Sequence, residues 1–239
     1  MSIRETGAPE RAHNAHPGRR TLEGFENYAK AIYELQGRGE GAVGTSAVAE
    51  RLGVAPASAS GMLRRLADEG LVSYEPYRGA RLTGDGEQVA LEVIRHHRLI
   101  ELFLAEVLGM PWDRVHGEAE VLEHHISEEL EELIAAKLGE PARDPHGDPI
   151  PNRELAVATD ETISLAELET GVDAVFERVS DSDPEMLRYL DSRGIRPGAV
   201  LRVTGREPFE GPISVRTGDD QHALGLPLAR AMRVSSGRG

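Results

Sequence analysis

Histidine and glutamate side chains recur at helical spacing in the middle of the chain, and imidazole and carboxylate groups are common ligands of divalent cations. Six of them fall into two groups, which are His97 and Glu101, and then His116, Glu120, Glu123 and His124. The second group is offset by 0, 4, 7 and 8 positions, so a helix brings its members to one side over about two turns. Neighbours on a helix face can converge on one ion at about 2.0–2.3 Å. These ligand types suit Mn²⁺, Fe²⁺, Zn²⁺ or Co²⁺.

The alternative interpretation of this pattern is a solvated helix face, which is the usual role of a single exposed histidine or glutamate. Six such residues on two adjacent helices favour the metal-site interpretation. His96 and His125 each lie about 100° round the helix from a neighbouring candidate, which predicts structural or exposed positions, and His13 and His16 carry less weight because they lie in the N-terminal tail. The chain has no Cys, so no disulfide, thiolate ligand or zinc ribbon is expected.

Apolar periodicity predicts the helices that carry these residues. One amphipathic helix is predicted over Thr83–Leu108 and a second over about Asp113–Leu138, with a Gly-Met-Pro break between them. The segment RDPHGDPIP that follows is typical of a Pro-rich linker. Beyond residue 160, runs of β-forming residues are separated by Gly, Pro and Asp, which predicts a small β-barrel. The runs are AVFERV, AVLRVTG, PISVRT and ALGLPLARAMRV.

The N-terminal part of the chain has the spacing of a helix-turn-helix. Apolar residues step by three and four over Thr21–Leu35, and a short helix follows from Thr45, whose hydroxyl can cap it, to Leu52. Pro56 then opens a third helix, because the first helical turn tolerates a missing N–H. Residues 71–83, LVSYEPYRGARLT, are typical of a two-stranded hairpin. Three helices followed by a hairpin predict a winged helix.

The third helix and the hairpin are predicted to bind DNA. Ser and Arg side chains supply phosphate and guanine contacts, and small residues let a helix approach the floor of the groove. Residues 1–83 carry 11 Lys and Arg against 10 Asp and Glu, although the whole chain has a net charge of −14. A DNA-facing module in front of an acidic body is therefore compatible with the composition. The candidate DNA-binding residues are Ser58, Ser60, Gly61, Arg64, Arg65, Arg78 and Arg81.

The sequence offers no candidate for a membrane span. Its most apolar stretch, Leu99 to Met110, is interrupted by Glu101 and Glu106, so no run of about 18 apolar residues exists. The first twenty residues carry charges of both signs and no apolar core, which predicts a disordered lead-in rather than a signal peptide. A cytoplasmic protein is therefore expected.

Five segments of the sequence resemble the metal-dependent repressors typified by the diphtheria toxin repressor and the manganese transport regulator. They are AIYEL, AERLGVAPASASGMLRRLADEGLV, RHHRLIELFL, VHGEAEVLEHHISEEL and RDPHGDPIP, and the resemblance covers about residues 22–233. It implies a mainly α fold class with small β parts, made of an N-terminal winged helix-turn-helix, a helical metal-binding and dimerisation domain, and a C-terminal SH3-like (FeoA-like) β-barrel. The expected boundaries are a disordered lead-in at 1–20, domains at 21–83, 84–151 and 160–233, and a linker at 152–159.

The resemblance also implies two metal sites. The ancillary-type site would use His97, Glu101 and His116, completed by Glu185 or Asp183 of the barrel. The primary-type site would use Asn27, Glu120, Glu123 and His124. Iron-sensing relatives have Cys at the place of Glu120 and Met at the place of Asn27, whereas manganese-sensing relatives have Glu and usually Asp. Glu120 therefore favours manganese.

Two residues of the first predicted helix depart from the relatives. Asn27 offers a neutral amide oxygen, which is a weaker ligand for a hard dication than Asp. Lys30 stands where the smaller, barrel-less manganese regulators have a metal-ligating Glu, and an ammonium group donates hydrogen bonds but cannot bind a metal. The two-metal cluster of those relatives is therefore not expected to form in the same way.

We expect a homodimeric, Mn²⁺-responsive regulator that binds double-stranded, palindromic operator DNA when loaded with metal and represses metal-uptake genes. An Fe²⁺-responsive regulator is the alternative within the family, and Co²⁺ or Zn²⁺ would substitute in vitro. A metalloenzyme that uses the same helices is a remote alternative, because no H-E-x-x-H and no Gly-rich phosphate loop occurs, so no enzyme is expected. A plain metal buffer or interaction module would leave the winged helix without a role.

Overall fold

The computed structural model describes residues 17–37, 41–159 and 161–236. The chain divides into two compact units, with the boundary between Ala90 and Leu91. Of the predicted lead-in, residues 1–16 lie outside the described residues, and residues 17–20 are helical. The first helix therefore begins four residues before the predicted Thr21, with Pro17 in its first turn, where a missing N–H is tolerated.

The first unit is the predicted winged helix. Its elements are α1 (Pro17–Gln36), α2 (Thr45–Arg51), α3 (Pro56–Asp68), β1 (Val72–Glu75) and β2 (Gly79–Leu82). The two strands pair antiparallel, with Val72 opposite Leu82. Ile32, Leu63 and Leu66 are fully buried between the helices, as their helical spacing predicts.

The turns of this unit depend on backbone geometry more than on side-chain caps. Gly44 is the N-cap of α2 and makes no side-chain cap, so the prediction that Thr45 caps this helix is wrong. The Thr45 hydroxyl lies 3.4 Å from the Tyr74 hydroxyl instead. Gly79 has φ +102°, and a Cβ at this position would overlap the carbonyl oxygen of Val43. Glycine is therefore required where the hairpin of β1 and β2, which we call the wing, passes close to the segment before α2.

Two separate helices, α5 (Val115–Leu122) and α6 (Glu128–Leu138), follow α4 (Gly84–Glu106). The prediction of one helix over Asp113–Leu138 is therefore wrong. Ser127 interrupts it, because its side chain accepts a hydrogen bond from the Leu130 N–H and forms the N-cap of α6. Glutamates in the first turn of α6 add favourable charge at the helix N-terminus. The break leaves Glu123 at the C-cap of α5.

The segment Arg143–Pro151 is packed into the second unit and is not the linker that its prolines suggest. Asp144, His146 and Ile150 are buried. One Asp144 carboxylate oxygen accepts the backbone N–H groups of His146 at 2.8 Å and Asp148 at 2.9 Å. A Cβ at Gly147, which has φ +91°, would overlap the Glu177 carbonyl oxygen, so this loop lies directly against a strand of the barrel.

Six antiparallel strands form the described C-terminal sheet, in the order β3-β8-β4-β5-β6-β7. Their bounds are β3 (Ile163–Ser164), β4 (Asp173–Val179), β5 (Val200–Arg206), β6 (Ile213–Thr217), β7 (Asp220–Leu224) and β8 (Met232–Ser236). Two helices were not predicted, α7 (Pro184–Asp191) and α8 (Leu226–Ala231). The run ALGLPLARAMRV is therefore strand, helix and strand. Helix α8 begins with a Pro in its first turn.

The core under this sheet includes a residue that lies far before the sheet in the chain. Trp112, which lies between α4 and α5, packs with Phe176, Leu187 and Leu201 of the barrel. The predicted fold class is confirmed. Across residues 17–37, 41–159 and 161–236, no helix has the length and apolarity that crossing a membrane requires.

Candidate metal centre and nucleic-acid interface

Four side chains from α4, α5 and the end of β4 converge in the second unit. We call His97, Glu101, His116 and Asp181 the ancillary cluster, and each offers a ligand atom within 4.8 Å of the others. His97 and Glu101 lie one turn apart on α4, with Nε2 3.0 Å from Oε1. His116 Nδ1 is 3.1 Å from His97 Nε2 and 2.9 Å from Asp181 Oδ2. Three elements thus meet around one small volume.

The barrel residue in this cluster is Asp181, and neither predicted candidate takes that place. Asp183 is the N-cap of α7, where its Oδ1 accepts N–H groups from Glu185 at 2.9 Å and Met186 at 3.3 Å. Glu185 is exposed in the first turn of α7. The pair Asp183-Pro184 could have indicated this, because an Asp before a Pro is typical of a helix start.

Charge in the ancillary cluster favours a cation. Burial raises the pKa of Glu101, but the nearby imidazoles of His116, His146 and His97 lower it more, so it lies well below its ordinary value. The hydrogen bond to Asp181, and then that to Glu101, raise the pKa of His116 to about 10. Glu101 Oε2 is buried without a hydrogen-bond partner among the described residues. A partly buried set of two imidazole and two carboxylate donors fits a divalent cation.

A second group of donors adjoins the first, because Glu120 and Glu123 offer ligand atoms within 4.8 Å of one from His97. Glu120, Glu123 and His124, which we call the primary cluster, lie at the end of α5 and just beyond it. His97 Nδ1 contacts the Glu123 carboxylate, and Glu120 Oε1 lies 3.9 Å from the same nitrogen. His124 Nε2 is 3.4 Å from Glu123 Oε1. The His97 ring therefore contacts carboxylates of both clusters, one at each nitrogen.

Glu123 is held in place from two directions. It is fully buried, and its backbone carbonyl lies 3.2 Å from Nδ1 of His96. The other nitrogen of His96 lies 2.8 Å from Glu131 Oε2, and Arg95 pairs with the other oxygen of the same Glu131. His96 thus has the structural role that its place on the helix predicts.

Asn27 and Lys30 lie on α1, in the first unit. Asn27 is half-buried and Lys30 is buried, and both interact with other residues. The role of Asn27 as a metal ligand stays a prediction, as does the effect of Lys30 on a two-metal cluster.

Sequence reasoning missed a third group of donors, which lies in the loop Arg143–Pro151. Glu101, Asp144 and His146 are all buried and offer ligand-type atoms within 4.8 Å of one another. Burial, and then the charge of Asp148, raise the pKa of Asp144 to about 8. Burial lowers the pKa of His146, but Glu101 outweighs it and raises the value to about 9. The sequence does contain an indication of this group, because the segment predicted as a linker carries Asp144 and His146 on either side of its first proline.

The predicted DNA-binding residues lie together in the first unit, on α3 and the wing. Arg64 and Arg65 are exposed, and the Arg65 guanidinium lies 5.4 Å from the centre of the Phe25 ring. Hydrogen bonds from Thr45 and Ser60 lower the pKa of Tyr74 on β1. The other candidates are exposed Ser58, half-buried Gly61, exposed Arg81 on β2, and exposed Arg78 in the wing turn, 3.1 Å from Glu75.

Three family descriptions match consecutive parts of the chain. Residues 20–80 match "Iron dependent repressor, N-terminal DNA binding domain", residues 83–152 match "Iron dependent repressor, metal binding and dimerisation domain", and residues 163–236 match the "FeoA domain". The matched ranges agree with the winged helix, with the helices and buried loop around the clusters, and with the six-stranded sheet.

Individual proteins are similar over almost their whole length. The "Iron-dependent repressor IdeR" of Mycobacterium leprae is 31% identical over 222 residues, covering 87% of this chain and 95% of the relative. The "Diphtheria toxin repressor" of Corynebacterium jeikeium is 29% identical, with the same coverage. A solved structure described as "Manganese-dependent transcriptional repressor complex with manganese" is 44% identical with a TM-score of 0.83, covering 89% of this chain and 99% of that one.

Proposed function

The chain belongs to the family of metal-dependent DNA-binding repressors that includes the diphtheria toxin repressor and the manganese regulators, and from this premise we propose that it is a Mn²⁺-responsive repressor of metal-uptake genes. The observation that carries the proposal is the ancillary cluster, where His97, Glu101, His116 and Asp181 offer ligand atoms within 4.8 Å of one another. The proposal includes no catalytic step.

The ligand types support manganese as the metal. Every donor in both clusters is an imidazole nitrogen or a carboxylate oxygen, and Glu120 supplies a hard oxygen where iron-sensing relatives have a thiolate. The relative with 44% identity is described as manganese-dependent. Fe²⁺ is the second candidate, because the relatives with 31% identity are named iron-dependent and imidazole ligands bind Fe²⁺ more tightly than Mn²⁺.

Both clusters would hold metal through side chains described above. In the ancillary cluster, His97, Glu101, His116 and Asp181 would bind the ion, whose positive charge would neutralise the buried carboxylates. His116 must give up its proton first, so metal binding and proton release are coupled. In the primary cluster, Glu120, Glu123 and His124 would bind, with the amide oxygen of Asn27 as the fourth ligand inferred from the sequence.

The DNA partner would be a double-stranded, palindromic operator in the cytoplasm. A metal that binds one arrangement of the protein more tightly shifts the population toward it, and the favoured arrangement would place two α3 helices in major grooves about 34–36 Å apart. This requires a homodimer. Exposed apolar side chains on α5 and α6 and just after α4 support one, and they are Val107, Leu108, Val121, Leu122, Leu130 and Leu133.

The proposed DNA contacts divide by chemistry. Ser58, Ser60 and Gly61 would let α3 approach the groove floor, and Arg64 and Arg65 would contact guanines or phosphates. Arg78 and Arg81 of the wing would contact phosphates, so replacing either by Ala should weaken binding to all sequences alike and reduce the salt slope by about one.

The test is DNA binding with and without metal. A random duplex library is selected on the Mn²⁺-loaded full chain, and the recovered duplex is then titrated in fluorescence anisotropy with EDTA, Mn²⁺ or, anaerobically, Fe²⁺. We expect tight binding with Mn²⁺ and at least tenfold weaker binding in EDTA, since linkage of this size is typical of allosteric regulators. Equal binding in EDTA and Mn²⁺ would exclude metal-responsive regulation. Activation by Fe²⁺ at lower free concentration than Mn²⁺ would favour the second candidate.

A further inference from the structure

His146 lies at the centre of the buried loop Arg143–Pro151 and contacts Glu101, although it is outside both proposed clusters. Its side chain is fully buried. Nε2 lies 2.8 Å from the backbone carbonyl oxygen of Trp112, and Nδ1 lies 3.5 Å from Glu101 Oε2. The ring also stacks on Trp112, with centroids 5.7 Å apart and planes inclined by 22°.

Both ring nitrogens of His146 face acceptor oxygens. A carbonyl oxygen only accepts, so Nε2 must donate to Trp112. Nδ1 faces Glu101 Oε2, a carboxylate oxygen, at 3.5 Å, which is the place from which a donor can reach this oxygen. Neither Nδ1 nor Glu101 Oε2 has another hydrogen-bond partner among the described residues. The imidazole of His146 is thus the available donor to this oxygen of Glu101.

The same residue is joined to the barrel through its backbone. The His146 carbonyl oxygen accepts the N–H of Val179, the last residue of β4, at 3.0 Å. Arg178 binds Asp148 of the same loop at 3.0 Å. Asp181 follows Val179 by two residues. His146 therefore contacts Glu101 through its side chain, and through its backbone it contacts the strand that leads to Asp181.

We propose that His146 is a positioning residue of the ancillary cluster, which turns the Glu101 carboxylate so that Oε1 faces His97 and His116 while Oε2 is held from behind. The inference rests on the proposed function, because it assigns the ancillary cluster a metal. A metal-bound carboxylate is typically hydrogen-bonded on its outer oxygen, and such outer partners change metal affinity by about 10–100-fold when they are replaced.

Three substitutions separate positioning from packing. The amide nitrogen of Asn lies at about the place of Nδ1, so His146→Asn keeps a donor to Glu101 and loses the bond to Trp112. His146→Gln does the opposite, because its amide nitrogen lies at about the place of Nε2. His146→Phe keeps a flat ring on Trp112 and loses both bonds. A purely structural role would make the Asn and Gln variants equivalent, since each loses one buried hydrogen bond.

The experiment is a Mn²⁺ titration of the full chain in which free Mn²⁺ is measured by electron paramagnetic resonance. The binding phase that disappears in Asp181→Asn is assigned to the ancillary cluster. We expect this phase to weaken by about 10–100-fold in His146→Gln and His146→Phe, and by about threefold or less in His146→Asn. Equal weakening of the Asn and Gln variants, or none in either, would overturn the proposal. Thermal unfolding in EDTA checks that each variant is folded.

A metal-free measurement distinguishes failure of this inference from failure of the proposed function. The protein is labelled with ¹³C-carboxyl glutamate, and spectra of the parent, His146→Asn and His146→Gln are compared in EDTA, with Glu101→Gln used to assign the Glu101 resonance. We expect the Glu101 carboxyl resonance to move in His146→Gln and to stay near its parent position in His146→Asn. Equal movement in both variants would overturn the positioning role whether or not the protein binds Mn²⁺. No Mn²⁺ binding by the parent would instead overturn the metal centre itself.

Discussion

Two aspartates separated by a single residue have different roles at the end of β4. Asp181 contacts His116 at 2.9 Å, whereas Asp183 caps α7 through backbone N–H groups. The sequence SDSDPE contains both, and nothing local distinguishes a metal-type side chain from a cap unless the Pro after Asp183 is taken as a helix start. The aspartate that reaches α5 is determined by where β4 ends against the loop Arg143–Pro151. This contact joins segments that are far apart in sequence, so the local sequence does not reveal it.

A matched pair of substitutions tests this division of roles. Asp181→Asn should weaken Mn²⁺ binding to the ancillary cluster by at least about tenfold, because one anionic donor becomes a neutral amide while the size is kept. Asp183→Asn is the control, since Asn caps helices as well as Asp does, and it should change neither Mn²⁺ affinity nor the free energy of unfolding. Isothermal titration calorimetry gives the affinities. Weaker Mn²⁺ binding in Asp183→Asn, with unchanged binding in Asp181→Asn, would mean that Asp183 is the ligand.

The ion pair between His116 and Asp181 predicts how the stability of the metal-free protein depends on pH. The pKa of His116 is raised from 6.5 to about 10, so its contribution is fully present below pH 6.5 and is lost as pH rises toward 10. Urea unfolding in EDTA should therefore give a free energy of unfolding that falls over this range. Asp181→Asn should flatten the curve. The slope left in the variant belongs to the remaining contact of His116 with Glu101 and to His146 and Asp144, whose pKa values are also raised.

Glu120 should control the choice of metal. In Glu120→Cys a soft thiolate replaces a hard carboxylate, which raises affinity for Co²⁺ more than for Mn²⁺. Anaerobic titrations with each metal, read by binding to the selected duplex, should show the ratio of the two midpoints moving several-fold toward Co²⁺. Glu118→Cys, on the same helix outside both clusters, is the control. An unmoved ratio would mean that Glu120 does not bind the metal.

At the scale of elements, periodic apolar residues predicted α1 to α4 within a few residues, because each of these helices buries one continuous face. The same reasoning failed from Asp113 to Leu138. The apolar pattern continues through residues 123–127, but the Ser127 cap and the glutamates after it start a new helix. The loop Arg143–Pro151 was mistaken for a linker because its burial comes from contacts with α4, α6 and β4, which composition does not reveal.

Gly61 on α3 tests the proposed approach of this helix to DNA. A Cβ at this position meets nothing within 4 Å, so Gly61→Ala should stabilise the first unit by about 0.5–1 kcal/mol through higher helix propensity. It should nevertheless weaken DNA binding by about tenfold, since the methyl group would keep α3 from the groove floor.

Gly117 provides the control for that experiment. It lies on α5, where an added Cβ would likewise meet nothing within 4 Å, and Gly117→Ala should bring a similar stability gain with DNA binding unchanged at saturating Mn²⁺. Unfolding curves and fluorescence anisotropy measure the two quantities. Undiminished DNA binding by Gly61→Ala would place this face of α3 away from the DNA.

At the scale of the whole chain, the order of the parts was predictable and the full donor set of the ancillary cluster was not. Helical spacing identified His97, Glu101 and His116 as candidate ligands, because a helix places residues four apart on one face. Asp181 and His146 come from a barrel and a loop that fold against these helices, so no spacing rule connects them. Trp112 gives the same lesson, since it precedes α5 in sequence and yet is part of the barrel core.

The ancillary cluster takes its side chains from both sides of the largely exposed segment 152–159. A chain divided after Glu154 would therefore place three donors on one polypeptide and Asp181 on the other, with the loop and β4 as the surfaces that rejoin them. Mn²⁺ would stabilise the association of the two pieces, because an ion that binds only the assembled pair favours the assembled state. We expect separately produced halves to stay associated at greater dilution in Mn²⁺ than in EDTA, and the difference to vanish in Asp181→Asn. Association of the two halves would then report the concentration of free Mn²⁺.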